Sequence, residues 1–167
     1  TIRLAKKAEE RFRLHCTILR VCDVAGATPI DVWLAPDADE FASAFPEGSP
    51  MAEWAVGVAF VAHWRVVLRA HGSALFTLDE TFDHELSHVL LHRGATPGRV
   101  PRWFSEGVAI WQAGESVLER LVSAQRAVLT DNLVPLDKLS DRFPARGPAV
   151  ALAYAEAALF VRWVVGR

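Results

Sequence analysis

The second half of the chain carries apolar residues at helical spacing, whereas the first half changes its pattern several times. In the second half apolar positions recur every three or four residues, a period that is typical of helices with one buried face. The pattern predicts helices over about 78–92, 102–113, 116–129 and 148–165.

The first half combines helix and strand patterns. Spaced apolar residues predict a helix from residue 2 to about 24. IDVWLA, which starts at Ile30, predicts a strand, and PDADEFASAF predicts a short helix. The valine-rich stretches AVGVAFV and RVVLRA flank His63 and Trp64 and predict a hairpin or two adjacent strands. Strands in the N-terminal half and helices in the C-terminal half together indicate an α+β domain.

Composition narrows the class of protein. The length of 167 residues suits a single domain over 1–167, and because Thr1 is not a start methionine we expect a fragment of a longer chain. The chain has 51% hydrophobic and 23% charged residues, which predicts a globular protein. Its net charge of −2 argues against a nucleic-acid partner. Glu156 and Arg162 interrupt the most apolar segment, which predicts a core helix and no membrane span.

The two cysteines, Cys16 and Cys22, fall within the first predicted helix. Six positions along one helix would put them on different faces and too far apart for a disulfide. We therefore expect buried free thiols. Their spacing fits no zinc-ribbon pattern.

The helix predicted from Thr77 to Gly94 contains unusual polar residues. Thr77 and Glu80 match the T-x-x-E capping box at its start. Apolar residues cover most of its circumference, so the helix is predicted to be buried nearly all round. Within it stand His84, Glu85 and His88, and burying such groups is costly unless a partner compensates.

A metal ion is the compensating partner that suits this spacing. Residues four apart stack on one helix face about 6 Å from each other, so His84 and His88 can converge on one Zn²⁺. Glu85 is rotated by about 100° round the helix and can reach a water at the metal without being a ligand. H-E-x-x-H on a helix is the metallopeptidase pattern for this reason. The alternative is a pair of buried histidines with protein partners.

The third ligand is expected from the next helix. His92 is excluded because it lies about 12 Å along the helix axis from His84. Glu106, in PRWFSEGVAIW, shares an inward stripe with apolar residues, and Gly107 beside it would let two helices approach closely. An inward glutamate needs a counter-charge, which zinc supplies; the alternative counter-charge is Arg102.

These motifs resemble those of the gluzincin metallopeptidases. HELSH is followed by WFSEG, and 17 residues separate His88 from Glu106. The chain is most similar to the bacterial peptidase-MA-like domains, through HELSHVLLH, PRWFSEGVA, AYAEAALFVRW and EWAVGVAF. The resemblance extends from about Ile30 to Val165. It departs from the thermolysin-like pattern at Ile110, which stands where an aspartate would be expected.

The resemblance implies a fold, a cofactor and a set of roles. The fold would be zincin-like, with a small twisted sheet packed on the helix of His84 and His88. One Zn²⁺ per chain would be held by His84, His88 and Glu106, with Glu85 as general base. Tyr154 would donate to the oxyanion, unless it is only a core residue. The substrate would be a peptide or protein that pairs with an edge strand at Ala55–Phe60, and a secreted or cell-envelope location is favoured.

The departure from the thermolysin-like pattern leaves the partners of the ligand histidines to be identified. Because Ile110 replaces the expected aspartate, Asp83 and Thr81 become the candidates for orienting the ligand histidines.

Two other classes of protein also stay open. One is a catalytically silent zinc-containing module of the same fold that binds a partner protein. The other is a deformylase-like hydrolase, which would need a cysteine ligand.

Overall fold

The computed structural model describes residues 2–23, 28–45, 55–70, 77–95, 100–115, 118–141, 143 and 148–166. The elements in chain order are α1 (Ile2–Leu19), β1 (Asp31–Ala35), α2 (Ala38–Ser43), β2 (Gly57–Phe60), β3 (Arg65–Arg69), α3 (Leu78–Gly94), α4 (Arg102–Ala113), α5 (Leu118–Leu129), α6 (Lys138–Asp141) and α7 (Pro148–Val165). The fold is α+β, as the sequence predicts. The chain divides into two compact units, Thr1–Gly94 and Ala95–Arg167. No helix among the described residues is long and apolar enough to cross a membrane.

The first unit is built on a mixed three-stranded sheet with the order β1-β3-β2. β1 pairs in parallel with β3 and β2 pairs antiparallel with β3, so the prediction of two adjacent strands there is confirmed. The connection between them includes Trp64 in the left-handed region, at φ 52°. The central strand β3 is buried through Val66, Val67 and Leu68. β2 is therefore an edge strand within the described sheet.

The two faces of the sheet contribute to two apolar clusters. On one face Val66 and Leu68 pack with the buried residues of α3, namely Phe82, Leu86, Val89 and Leu90. On the other face Val67 and Ala35 pack with Phe41 of α2. Alternation of side chains along a strand sends neighbouring valines to opposite faces. This packing fixes α3 against the sheet.

The expectations for α1 and the cysteines were wrong. α1 ends at Leu19 instead of continuing to about residue 24. Arg20 is left-handed, at φ 57°, and the Val21 amide donates to the carbonyl of Cys16 at 2.9 Å, a pattern that ends helices by reversing the chain. The reversal brings the Cα atoms of Cys16 and Cys22 to 4.8 Å, and the two form a disulfide. A disulfide-bonded sulfur is no metal ligand, so a deformylase-like site is excluded.

The second unit is helical, with α7 packed against both α4 and α5. The bounds of α4 and α7 agree with the predicted helices, and the described part of α5 begins at Leu118. α6 was not predicted. A Cβ atom on Gly107 would lie 2.6 Å from Val161 Cγ2 and closer still to the carbonyl oxygen of Ala157. Gly107 thus allows α4 and α7 to approach closely, as predicted.

Candidate metal centre

The start of α3 is set by a capping box, as the sequence predicts. The Thr77 amide donates to Glu80 Oε2 at 2.8 Å, and the Glu80 amide donates to Thr77 Oγ1 at 3.1 Å. These reciprocal bonds satisfy amides that have no partner within the helix. They define where the helix begins and hence which residues face the sheet.

His84 and His88 lie side by side on α3. Their ring centroids are 5.0 Å apart and the ring planes are inclined at 76°. Both residues are half-buried, whereas Leu86 and Ser87 between them are buried. The spacing of four residues therefore produces the paired imidazoles that the sequence predicts.

Glu85 lies against the edge strand β2. A Cβ atom built on Gly57 would be 2.9 Å from Glu85 Cγ and 3.2 Å from Glu85 Oε1. The carboxylate of Glu85 is thus next to the backbone of β2, inside the first unit. This contact joins two features that the sequence predicted separately, the H-E-x-x-H helix and the edge strand at Ala55–Phe60.

A row of basic residues on α1 holds the side of α3 that carries Asp79 and Asp83. Lys7 pairs with Asp79, while Arg11 Nη1 lies 3.4 Å from Asp83 Oδ2. His15 Nε2 lies 3.0 Å from Asp83 Oδ1, and both of these side chains are almost fully buried. The paired residues recur every four positions on each helix, so each set forms one stripe. The stripe fixes the helix face next to His84.

Arg93 anchors the other end of α3. Its Nη2 donates to the Thr28 carbonyl at 2.5 Å. Its guanidinium lies over the rings of Phe12, at 5.8 Å, and Trp64, at 5.0 Å. Burial lowers its pKa. Aromatic faces and a carbonyl oxygen are favourable surroundings for a buried cation, so these contacts stabilise the end of the helix.

Glu106 is held in the second unit by α4, which begins directly after Pro101. The residue is only 6% exposed, as its place on the inward stripe predicts. Arg102 Nε lies 3.8 Å from Glu106 Oε1, but the Arg102 side chain is 60% exposed. An ion pair with so exposed an arginine contributes little. Arg102 is therefore a weak counter-charge for a buried carboxylate.

Among the described residues one group has the composition of a metal site. His84 and His88 on α3 each offer one imidazole nitrogen, and Glu106 on α4 offers a carboxylate oxygen. Two imidazole nitrogens and a carboxylate oxygen are the donors that zinc takes in catalytic sites. The donor set therefore fits zinc.

The remaining candidate residues have other surroundings. Burial and the neighbouring His88 lower the pKa of His92. His92 is not one of the three candidate ligands. The Thr81 hydroxyl donates to the Thr77 carbonyl at 3.0 Å, and Asp83 pairs with α1. That Thr81 or Asp83 orients the ligand histidines stays a prediction. Tyr154 packs edge-on against Phe143, with ring centroids 4.8 Å apart.

The arrangement has the features of the zincin-like class, namely a small sheet packed on a helix that carries H-E-x-x-H. The model of the peptidase MA superfamily matches residues 16–167. The chain belongs to this superfamily, which confirms the resemblance seen in the motifs. Membership indicates a peptidase of a kind that is typically metal-dependent. No curated protein and no solved structure matched the chain.

Sequence reasoning missed two contacts near the site. The first is the pairing of Arg11 and His15 with Asp83, and the second is the approach of Gly57 to Glu85. The four-residue spacing of Lys7, Arg11 and His15 opposite the spacing of Asp79 and Asp83 is a signal that could have indicated the first. A glycine inside a predicted strand often marks a close backbone approach, which could have indicated the second.

Proposed function

We propose that the chain is a zinc-dependent peptidase in which His84, His88 and Glu106 hold one Zn²⁺. The observation that carries this proposal is the pair of imidazoles on α3, with ring centroids 5.0 Å apart, together with the buried carboxylate that α4 supplies at Glu106. Membership of the peptidase MA superfamily supports the same chemistry independently of that geometry.

Zinc bound there would supply a Lewis acid that activates water near neutral pH. Glu85 accepts the proton of the attacking water and then delivers it to the leaving amine, as a general base and acid. Its position supports this role, because the residue follows His84 directly and is rotated by about 100° round the helix. It stands beside the proposed ligands and is not one of them. Tyr154 donates a hydrogen bond to the oxyanion in this proposal.

The proposed substrate is an extended segment of a peptide or protein. β2 lies at the edge of the described sheet, and Gly57 in that strand lies against Glu85. An edge strand offers backbone amides and carbonyls to a guest strand. A peptide that pairs with Ala55–Phe60 would therefore pass beside the general base.

Replacing Glu85 by glutamine tests the proposal. The amide is nearly isosteric but cannot accept a proton, so Glu85→Gln should lose at least about 10²–10⁴-fold in turnover while its zinc content stays at the wild-type level. The assay is digestion of a peptide library, with zinc measured in both proteins. Glu10→Gln, at an exposed position on α1, is the matched control and should cleave like the wild type.

The same assay separates a peptidase from a binding module. Equal cleavage by wild type and Glu85→Gln would show that Glu85 is not the general base. Absence of cleavage in both proteins at full zinc occupancy would overturn the peptidase proposal. It would favour a catalytically silent zinc-containing module that binds a partner protein.

A further inference from the structure

The side of β2 that faces α3 carries only small residues. Ala59 packs on the cluster that contains Phe82 and Leu86, and Gly57 approaches α3 directly. Val58 and Phe60 point the other way and pack with the cluster around Phe41. Since side chains alternate along a strand, β2 has large side chains on the face towards Phe41 and only glycine and alanine on the face towards α3. Its backbone can therefore approach α3 closely.

The approach at Gly57 leaves no space for a side chain. A Cβ atom there would lie 2.6 Å from Thr81 Cγ2 and 2.9 Å from Glu85 Cγ. Thr81 cannot easily turn its methyl group away, because its hydroxyl donates to the Thr77 carbonyl at 3.0 Å and the residue is buried. Glu85 has more rotatable bonds and is only half-buried. A side chain at position 57 would therefore displace Glu85 first.

We infer that Gly57 is a positioning residue for Glu85. Without a Cβ atom at this position, the backbone of β2 lies against the Glu85 side chain and limits where its carboxylate can go. The inference rests on the proposed function, since it assigns Gly57 to the general base of that reaction. A base displaced by about 1 Å can lose about 10²-fold in rate, so one methyl group at Gly57 should reduce turnover strongly.

The test compares Gly57→Ala with a double variant in which the collision with Thr81 is relieved but the crowding of Glu85 remains. Gly57→Ala should lower kcat by about 10–10²-fold and lower the melting temperature, while zinc content stays at the wild-type level. Adding Thr81→Ser removes the methyl at 2.6 Å but leaves the two contacts to Glu85. The double variant should therefore regain stability without regaining kcat. Recovery of both together would show that Gly57 acts only through packing and would overturn the inference.

Gly94→Ala is the matched control. Its new methyl would collide with Val21, so it should lower the melting temperature while kcat stays near the wild-type value. A loss of kcat as large as that of Gly57→Ala would mean that crowding anywhere in the first unit impairs turnover, and would overturn the inference.

A second measurement does not depend on turnover. In protein labelled with carbon-13 at glutamate carboxyl groups, the Glu85 resonance is the one that disappears in Glu85→Gln. The inference predicts that this resonance shifts in Gly57→Ala and in the double variant but not in Gly94→Ala. An unmoved resonance overturns the inference even if the wild type cleaves no peptide. Lack of cleavage at full zinc occupancy with a shifted resonance overturns the proposed function alone.

Discussion

Replacing Gly107 by alanine tests the close packing of α4 against α7, next to Glu106. Two effects oppose each other in this variant. Alanine favours the helix over glycine by about 1 kcal/mol. The new methyl group, however, would lie 2.6 Å from Val161 Cγ2 and nearer still to the backbone carbonyl of Ala157. Overpacking of this kind costs about 1–3 kcal/mol or more, and a backbone atom cannot rotate out of the way.

Contact with a backbone carbonyl places the packing cost in the upper part of that range, at about 2–3 kcal/mol. After the gain in helix propensity, a net destabilisation of about 1–2 kcal/mol remains. In a chain of 167 residues, 1 kcal/mol changes the melting temperature by about 2–4 °C. The melting temperature of Gly107→Ala should therefore fall by about 2–8 °C, measured by calorimetry or circular dichroism. Adding Val161→Ala should recover only part of this loss, because the contact with the Ala157 carbonyl persists.

Ala151→Gly calibrates the propensity term at an exposed position of α7. It should cost about 1 kcal/mol without any change in packing. If Gly107→Ala were instead more stable than the wild type by a similar amount, helix propensity alone would govern this position. The close contact between α4 and α7 would then be refuted.

Three further outcomes are expected. Reduction of the Cys16–Cys22 disulfide, which joins residues at a sequence separation of 6, should lower the free energy of unfolding by about 2 kcal/mol. In denaturant titrations, a reductant should therefore lower this free energy in the wild type but not in Cys22→Ser. Burial raises the pKa of Glu156, so the folded state binds its proton more tightly than the unfolded state does. Raising the pH from below the ordinary glutamate pKa should therefore lower the free energy of unfolding of the wild type relative to that of Glu156→Gln. If denaturant titrations gave the same pH dependence for both proteins, this reasoning would be refuted. Tyr154→Phe should lower kcat by about 10²-fold with an unchanged melting temperature if Tyr154 is the oxyanion donor; an unchanged kcat would make it a core residue.

Local signals in the sequence predicted the elements around the candidate site well. The capping box at Thr77 and Glu80, the inward stripe of Glu106 and the close approach at Gly107 all depend on residues near one another in sequence. Helical period and cap chemistry determine such features within one or two turns. The family motif HELSH predicted His84 and His88 as ligands and Glu85 as general base.

The misses have a different origin. The disulfide was missed because one left-handed residue, Arg20, reverses the chain after α1, and helical period carries no information about such a reversal. The pairing of His15 with Asp83 spans 68 residues, and the contact of Gly57 with Glu85 joins a strand to a helix. Contacts of this kind depend on tertiary packing, which residue spacing within one element does not determine.

Zinc content of the purified protein tests the central claim most directly. Elemental analysis should find one zinc per chain in the wild type. Glu106→Ala should lose far more zinc than His92→Ala, because Glu106 is a proposed ligand, whereas His92 lies about 12 Å along the helix axis from His84 and cannot share its metal ion. Equal zinc loss in the two variants, or a wild type that binds no zinc, would contradict the assignment of His84, His88 and Glu106 as the ligands.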